Sequence, residues 1–137
     1  YQNTDEYIKS LEMKIDIRPA TLSECTRISE LTQRTNKFTN GKRYMLSEIK
    51  KLLSSTDYKL CSVYVSDKYS DLGLVGVIGA AEGRLDLIAL SCRAFGRNVE
   101  NKMIDFCSSL GVKTYSFSST SKNGQVDKLL GNYYIRD

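Results

Sequence analysis

The sequence predicts an α/β domain of the α+β kind, and three observations carry that expectation. Strand-like alternation and helix-like spacing follow one another in the order β-α-α-β-β-β-α-β-α-β. The length, 137 residues, suits one domain with a single core. Hydrophobic residues at 41% and charged ones at 26% are ordinary for a soluble globular chain.

Each element has its own signal. Tyr1 to Leu11 is polar, with Tyr7, Ile8 and Leu11 at helical spacing, and reads as a linker or the tail of a preceding helix. We therefore expect residues 1–12 to be a connection and 13–137 to be the domain. Met13, Ile15 and Ile17 alternate with Lys14 and Asp16 as in a strand, which Arg18-Pro19-Ala20 ends. Thr21-Leu22-Ser23-Glu24 is a capping box, followed by Leu22, Cys25, Ile28 and Leu31 on one helical stripe to about Thr35. Asn36 to Tyr44 reads as a loop turning at Asn40-Gly41. Ser47 is the expected cap of a second helix carrying Ile49, Leu52 and Leu53.

Strands are expected over Lys59 to Ser66 and Leu74 to Ala80, joined by a turn at Ser70 to Gly73. Glu82-Gly83 then turns the chain into a strand from Arg84 to Leu90. A helix starting near Arg97 presents Val99, Met103, Phe106 and Leu110 on one face, with Gly111 as its C-cap. Val112 to Ser118 alternates as a strand, Lys122 to Leu130 as a short last helix, and Tyr133 to Arg136 as a remnant strand.

Composition excludes several classes. Four cysteines lie far apart without a C-x-x-C pair, and the chain has no histidine, which argues against a zinc site and a disulfide scaffold. Ser-His and Cys-His catalysis cannot be built from this chain alone. A net charge of +4 is mild and not gathered into a basic stripe, so no nucleic-acid partner is expected. No apolar run reaches the roughly 20 residues of a membrane span, and Tyr1 to Glu6 is polar and acidic, unlike a signal peptide. A cytoplasmic location without membrane or metal is the expectation.

The stretch from Leu90 to Glu100 carries the most chemistry. A strand passing through a glycine turn into a helix leaves unpaired N–H groups and a positive dipole end, which suit a phosphate. Gly96 admits a close approach to the backbone, and Arg93 and Arg97 add charge. An ordinary turn with solvated arginines is the other reading. The spacing Arg93-x-x-Gly96-x-Asn98 resembles the diphosphate loop of the GCN5-related N-acetyltransferase (GNAT) superfamily, which binds acyl-CoA. The resemblance implies a mixed, mostly antiparallel sheet flanked by helices on both faces. It also implies a pantetheine arm lying along Ile88 to Leu90, beside the strand Val112 to Ser118, with Arg93, Ala94, Phe95, Gly96, Arg97 and Asn98 around the phosphate.

A narrower resemblance rests on Ser10-Leu11-Glu12-Met13, Leu31 to Phe38, Arg43-Tyr44, Gly73-Leu74-Val75-Gly76, Leu90-Ser91-Cys92-Arg93, Lys122-Asn123 and Gln125-Val126. Together these are similar to the C-terminal domain of FkbH-like proteins. That resemblance implies a preceding haloacid-dehalogenase-like domain in the same polypeptide, joined through residues 1–12. It implies an acyl carrier protein as partner, CoA or carrier-bound phosphopantetheine as cofactor, and transfer of a glyceryl or similar acyl unit in polyketide-type biosynthesis. Asn123 joins the cofactor-contacting set. Two departures stand out: Asn98 replaces a small residue of the loop, and Leu130 takes the place where many acetyltransferases carry a proton-donating Tyr.

Among groups able to do chemistry, Asp86 and Glu82 are the carboxylates near the expected site, Asp86 being either a general base or a solvated side chain. Cys92, beside Arg93 and before a helix, is a candidate nucleophile favoured as a thiolate, or else a small core filler. Cys25, on a helix stripe, reads as core. Arg34, Asn36 and Arg43 are placed by the resemblance over the acyl end of a substrate. The functional expectation is thus an acyltransferase-type domain. The alternatives are a non-catalytic docking module for phosphopantetheine and an independent N-acetyltransferase.

Overall fold

Alternating apolar residues build a sheet whose two faces are covered by different helices. The computed structural model describes residues 12–137, so all but Glu12 of the expected connection over residues 1–12 lies outside the described residues. In chain order the elements are β1 (Lys14–Pro19), α1 (Cys25–Arg34), β2 (Phe38–Thr39), α2 (Leu46–Ser54), β3 (Tyr58–Ser66) and β4 (Asp71–Ala81). They continue with β5 (Arg84–Leu90), α3 (Val99–Ser109), β6 (Thr114–Tyr115), α4 (Gly124–Gly131) and β7 (Ile135–Arg136). The strands run β1-β3-β4-β5-β6-β7 across the sheet, with β2 paired to β5 off that path. The pairs from β1 to β5 are antiparallel, and β5–β6 and β6–β7 are parallel.

Two apolar clusters fill the two faces. Cys25 and Ile28 of α1 and Ile49 of α2 pack with Leu60, Val77, Leu87 and Ala89. Met103, Ile104 and Cys107 of α3 and Val126 and Leu130 of α4 pack with Val63, Ile78, Ile88 and Leu90. Burying such side chains contributes roughly 1.5–3 kcal/mol each, which is why the helices hold their places despite modest length.

Most predicted elements are present, with instructive differences. Thr21 N–H donates to Glu24 Oε1 at 2.8 Å as the capping box requires, although the first turn, Leu22–Glu24, is a 3-10 turn. Ser47 is not the cap of α2. Met45 takes that position, and its N–H donates to Glu48 Oε1 at 2.9 Å. The turn after β3 lies at Asp67–Ser70, where Asp67 Oδ1 accepts the N–H groups of Tyr69 and Ser70, and β4 begins earlier than expected. The strand expected over Val112 to Ser118 contains only Thr114–Tyr115.

That shortening has a cause in a segment expected to be loop. Parallel pairing of β5 with β6 covers only Arg84↔Thr114 and Leu85↔Tyr115, after which the strands part. The gap is filled by β2, whose Phe38 and Thr39 pair with Leu90 and Ala89. Asn40, fully buried, completes the closure. Its backbone N–H donates to Ile88 O at 3.1 Å, and its carbonyl accepts Ser118 N–H at 2.8 Å. Its carboxamide donates to Asp86 O at 2.7 Å and Ser116 O at 2.9 Å, and accepts Ile88 N–H at 3.1 Å. Gly41 follows in the left-handed region at φ +87°, where a Cβ would collide with the Ser118 carbonyl. Asn123 fastens the same seam from the other side, donating to Thr39 O and Ser118 O at 3.0 Å each.

Asn40→Ala strands three backbone partners, at Asp86, Ile88 and Ser116, and is expected to cost on the order of 3 kcal/mol in a urea titration. A loss within the ~0.5 kcal/mol typical of surface substitutions would contradict this account of the seam.

Candidate functional site

A cleft of about 800 Å³ opens at the C-terminal end of β5. Arg27 and Arg34 reach it from α1, Lys37 and Phe38 from β2 and the residue before it, Cys92 and Arg93 from the turn after β5, and Lys122 from the approach to α4. Five cations thus face one carboxylate, Glu30, which lies 2.9 Å from Arg27 and 3.3 Å from Arg34. A second cavity of about 510 Å³ shares Lys37, Phe38, Phe95 and Lys122 and extends to Gly96, Asn98 and Glu100. Phe95 partitions the two: its ring lies 5.9 Å from that of Phe38, with Lys37 Nζ 5.1 Å from its centroid.

Cys92 is the exposed cysteine of the four, and Cys25, Cys61 and Cys107 are buried. Burial pushes the Cys107 thiol up to about 12, so it is neutral across the physiological range. The turn region beginning at Ser91 runs to Asn98, and α3 starts only at Val99, so Cys92 does not sit at the helix terminus that its sequence position suggests. Arg93 extends along the cleft wall and donates to Leu72 O at 3.3 Å.

The loop 93–98 is shaped by its own contacts. Gly96 and Asn98 both adopt positive φ, at 84° and 65°. The Gly96 N–H, one of the donors a phosphate would use, is bonded to the Glu100 carboxylate. Arg97 turns away to Asp67 at 3.2 Å, and Ala94 is fully buried. Of the residues expected around the phosphate, Arg93, Phe95, Gly96 and Asn98 therefore line cavities, and Arg97 and Ala94 do not.

Hydrogen bonds engage several of the other expected residues. The edge of β5 at Ile88 to Leu90, expected to face a pantetheine arm, is paired with β2 and Asn40. Asn123 is buried, and its carboxamide bonds Thr39, Ser118 and Thr120. Arg43 donates to the carbonyls of Thr32 at 2.9 Å and Gln33 at 2.7 Å, closing the C-terminus of α1, and to Asn36 Oδ1 at 2.6 Å. Arg34 and Asn36 do line the main cleft. The Tyr134 hydroxyl is engaged with Ile104 O and the Ser108 hydroxyl.

Asp86 lies elsewhere, in a separate cavity of about 430 Å³ with Tyr44, Tyr58 and Arg84. The pairs Gly79↔Leu87 and Ala80↔Leu85 leave it unpaired in a β-bulge, which turns its side chain beneath α2. It is only 15% exposed, not solvated. Its Oδ2 accepts the hydroxyls of Tyr44 at 2.6 Å and Tyr58 at 2.7 Å, and Lys42 Nζ lies 3.7 Å from Oδ1. Gly79 makes this possible, because any Cβ there would meet the Tyr58 hydroxyl. Carboxylate and exposed thiol are not brought together. No group of three or more His, Cys, Asp or Glu among the described residues is placed to hold a metal, and no described helix is long and apolar enough to cross a membrane.

The tyrosines give a pH signature. Burial first, and Asp86 second, push the Tyr58 and Tyr44 hydroxyls well above their usual range, and burial with the Asp127 bond pushes Tyr115 up to about 12. Unfolded, these groups ionise near pH ~10. Their stabilisation is therefore complete below about pH 10 and is lost as the pH climbs toward the folded values. An absorbance titration should find Tyr44, Tyr58 and Tyr115 ionising only with alkaline unfolding. All nine tyrosines titrating together near pH ~10 in a folded chain would contradict this.

No family model and no curated protein matches the sequence. Solved structures do match the fold. A possible acetyltransferase from Clostridium difficile 630 aligns over 90% of this chain and 92% of its own, at 15% identity and a TM-score of 0.60. The aminoglycoside N-acetyltransferase AAC(6')-Iy, in complex with CoA, aligns over 91% and 90%, at 14% identity and a TM-score of 0.58. A transcriptional regulator from Bacillus halodurans C-125 aligns over 87% and 91%, at 11% identity and a TM-score of 0.61. The chain has the mixed, mostly antiparallel sheet and flanking helices of the GNAT-type acetyltransferase fold.

Proposed function

We propose that this is the acyltransferase-type domain of an FkbH-like protein. Its cleft receives the phosphorylated pantetheine arm of an acyl carrier protein, or of CoA, and it assists transfer of a glyceryl or similar acyl unit to the carrier. In this reading the domain follows a haloacid-dehalogenase-like domain in the same polypeptide. The observation that carries the proposal is the gathering of Arg27, Arg34, Lys37, Arg93 and Lys122 around the exposed thiol of Cys92. Cations in a concave, partly apolar site attract a phosphate and the backbone of an acidic carrier together. The acyltransferase fold and the CoA bound to a structural neighbour support the choice of ligand.

The chemistry available in the cleft is thioester exchange. The Cys92 thiolate would attack the carbonyl of an acyl thioester; a C–S bond to Cys92 forms as the C–S bond to the donor breaks, and the donor leaves as its thiolate. The carrier thiol then reverses these steps, so no histidine is needed. The seam closed by Asn40 favours a second reading, in which the domain docks the carrier arm and transfers nothing itself. Intact mass after incubation with glyceryl donors and a holo carrier protein divides the two: an acyl group on Cys92 supports relay, and its absence supports docking.

Arg93→Glu and Lys122→Glu should each weaken CoA binding by about ten-fold at low salt, with the difference shrinking as salt screens the cleft. Glu100→Ala should strengthen it by roughly five-fold, because the resident carboxylate is removed and the Gly96 N–H is freed. CoA affinities unmoved by either charge reversal would put the site elsewhere.

A further inference from the structure

A pantetheine chain carries amides that pair with an open strand edge, and the C-terminal half of β5 turns no open edge to the cleft. Leu90 and Ala89 pair with Phe38 and Thr39, and the backbone groups of Ile88 bond to Asn40 on that side. The carboxamide of Asn40 also takes the Asp86 and Ser116 carbonyls, the acceptors exposed where β5 and the segment after β6 part. Phe38, 2% exposed, fronts this seam and lines both cavities, against Phe95. Cys92, exposed, lines the same cleft.

We propose that the strand Phe38–Asn40 is a stop that sets the depth of the cleft: a pantetheine arm entering between Arg93 and Lys122 ends with its sulfur at Cys92 and does not pass between β5 and residues 116–118. Asn40 is then a positioning residue, acting through Phe38 and touching no ligand itself. The proposal rests on the reading that the cleft receives a pantetheine arm, and it adds where that arm ends.

Disulfide tethering on the full chain tests it. The probe is the mixed disulfide of CoA with 2-mercaptoethanol, and the control is the symmetrical disulfide of 2-mercaptoethanol, which lacks the phosphorylated arm. In each, the Cys92 thiolate attacks one sulfur, the S–S bond of the reagent breaks, and the other half leaves as its thiolate. The CoA probe should modify Cys92 at least about ten-fold faster than the control, because binding raises the local concentration of its disulfide. Excess desulfo-CoA should abolish that advantage, and in Asn40→Ala it should shrink as the seam opens to the arm. Equal rates for probe and control, with CoA binding demonstrated by calorimetry, overturn the stop and leave the proposed function standing. Absence of CoA and phosphopantetheine binding overturns the proposed function, and the stop with it. The wild-type comparison decides the matter even where Asn40→Ala is too unstable to assay.

Discussion

Everything at this site depends on how the chain repairs the parting of β5 from β6. Where two parallel strands diverge, each leaves backbone donors and acceptors facing a gap, and a buried unpaired group costs about 1–3 kcal/mol. Here Asn40 satisfies them with one side chain that both donates and accepts, and with its own backbone on either side. The amide is suited to this because it carries two donors and a carbonyl on one planar group. A third short strand, β2, extends the repair to Leu90, and Asn123 ties it to the start of α4.

The consequences spread outward from that seam. With β2 drawn into the sheet, Lys37 and Phe38 are carried to the mouth of the cleft, facing Arg93 and Lys122. The Asn40 bond to the Asp86 carbonyl anchors the β-bulge, and the bulge aims the Asp86 side chain at Tyr44 and Tyr58, away from the cleft. The arginine-rich turn is likewise partly committed: Arg97 stabilises the β3–β4 turn through Asp67, and Glu100 holds Gly96. What is left for a ligand is a cationic cleft and an exposed thiol.

The sequence made the regular parts of this fold legible and hid the seam. The strand Arg84 to Leu90 appears with the predicted bounds, and the stripe through Cys25, Ile28 and Leu31 packs as expected, because periodic apolar burial leaves a period in the sequence. A two-residue strand leaves none. Phe38-Thr39 is embedded in a polar stretch, and Asn40-Gly41 carries the ordinary signature of a turn. The bulge hides Asp86 in the same way, since strict alternation opposite Leu85 and Leu87 points to solvent and one extra residue breaks the alternation. Arg43 and Asn123 are drawn toward a ligand by the family resemblance alone, and nothing in their local sequence marks the loop carbonyls and amides that they bond. Cys92, Arg93, Arg34 and Asn36 line one cleft; the turn after β5 points to the first two, and the family resemblance to the other two.

Native-state hydrogen exchange at the amides of Asn40, Ile88 and Ser118 tests the central claim most directly, because each of those N–H groups belongs to the seam. A seam that is part of the sheet predicts that all three exchange only through global unfolding, with protection equal to that of the β3–β4 pair, and that saturating CoA does not lower it. Exchange of these three amides through a low-energy local opening, or loss of their protection when CoA is added, would show a gap that ligands enter and would contradict the account.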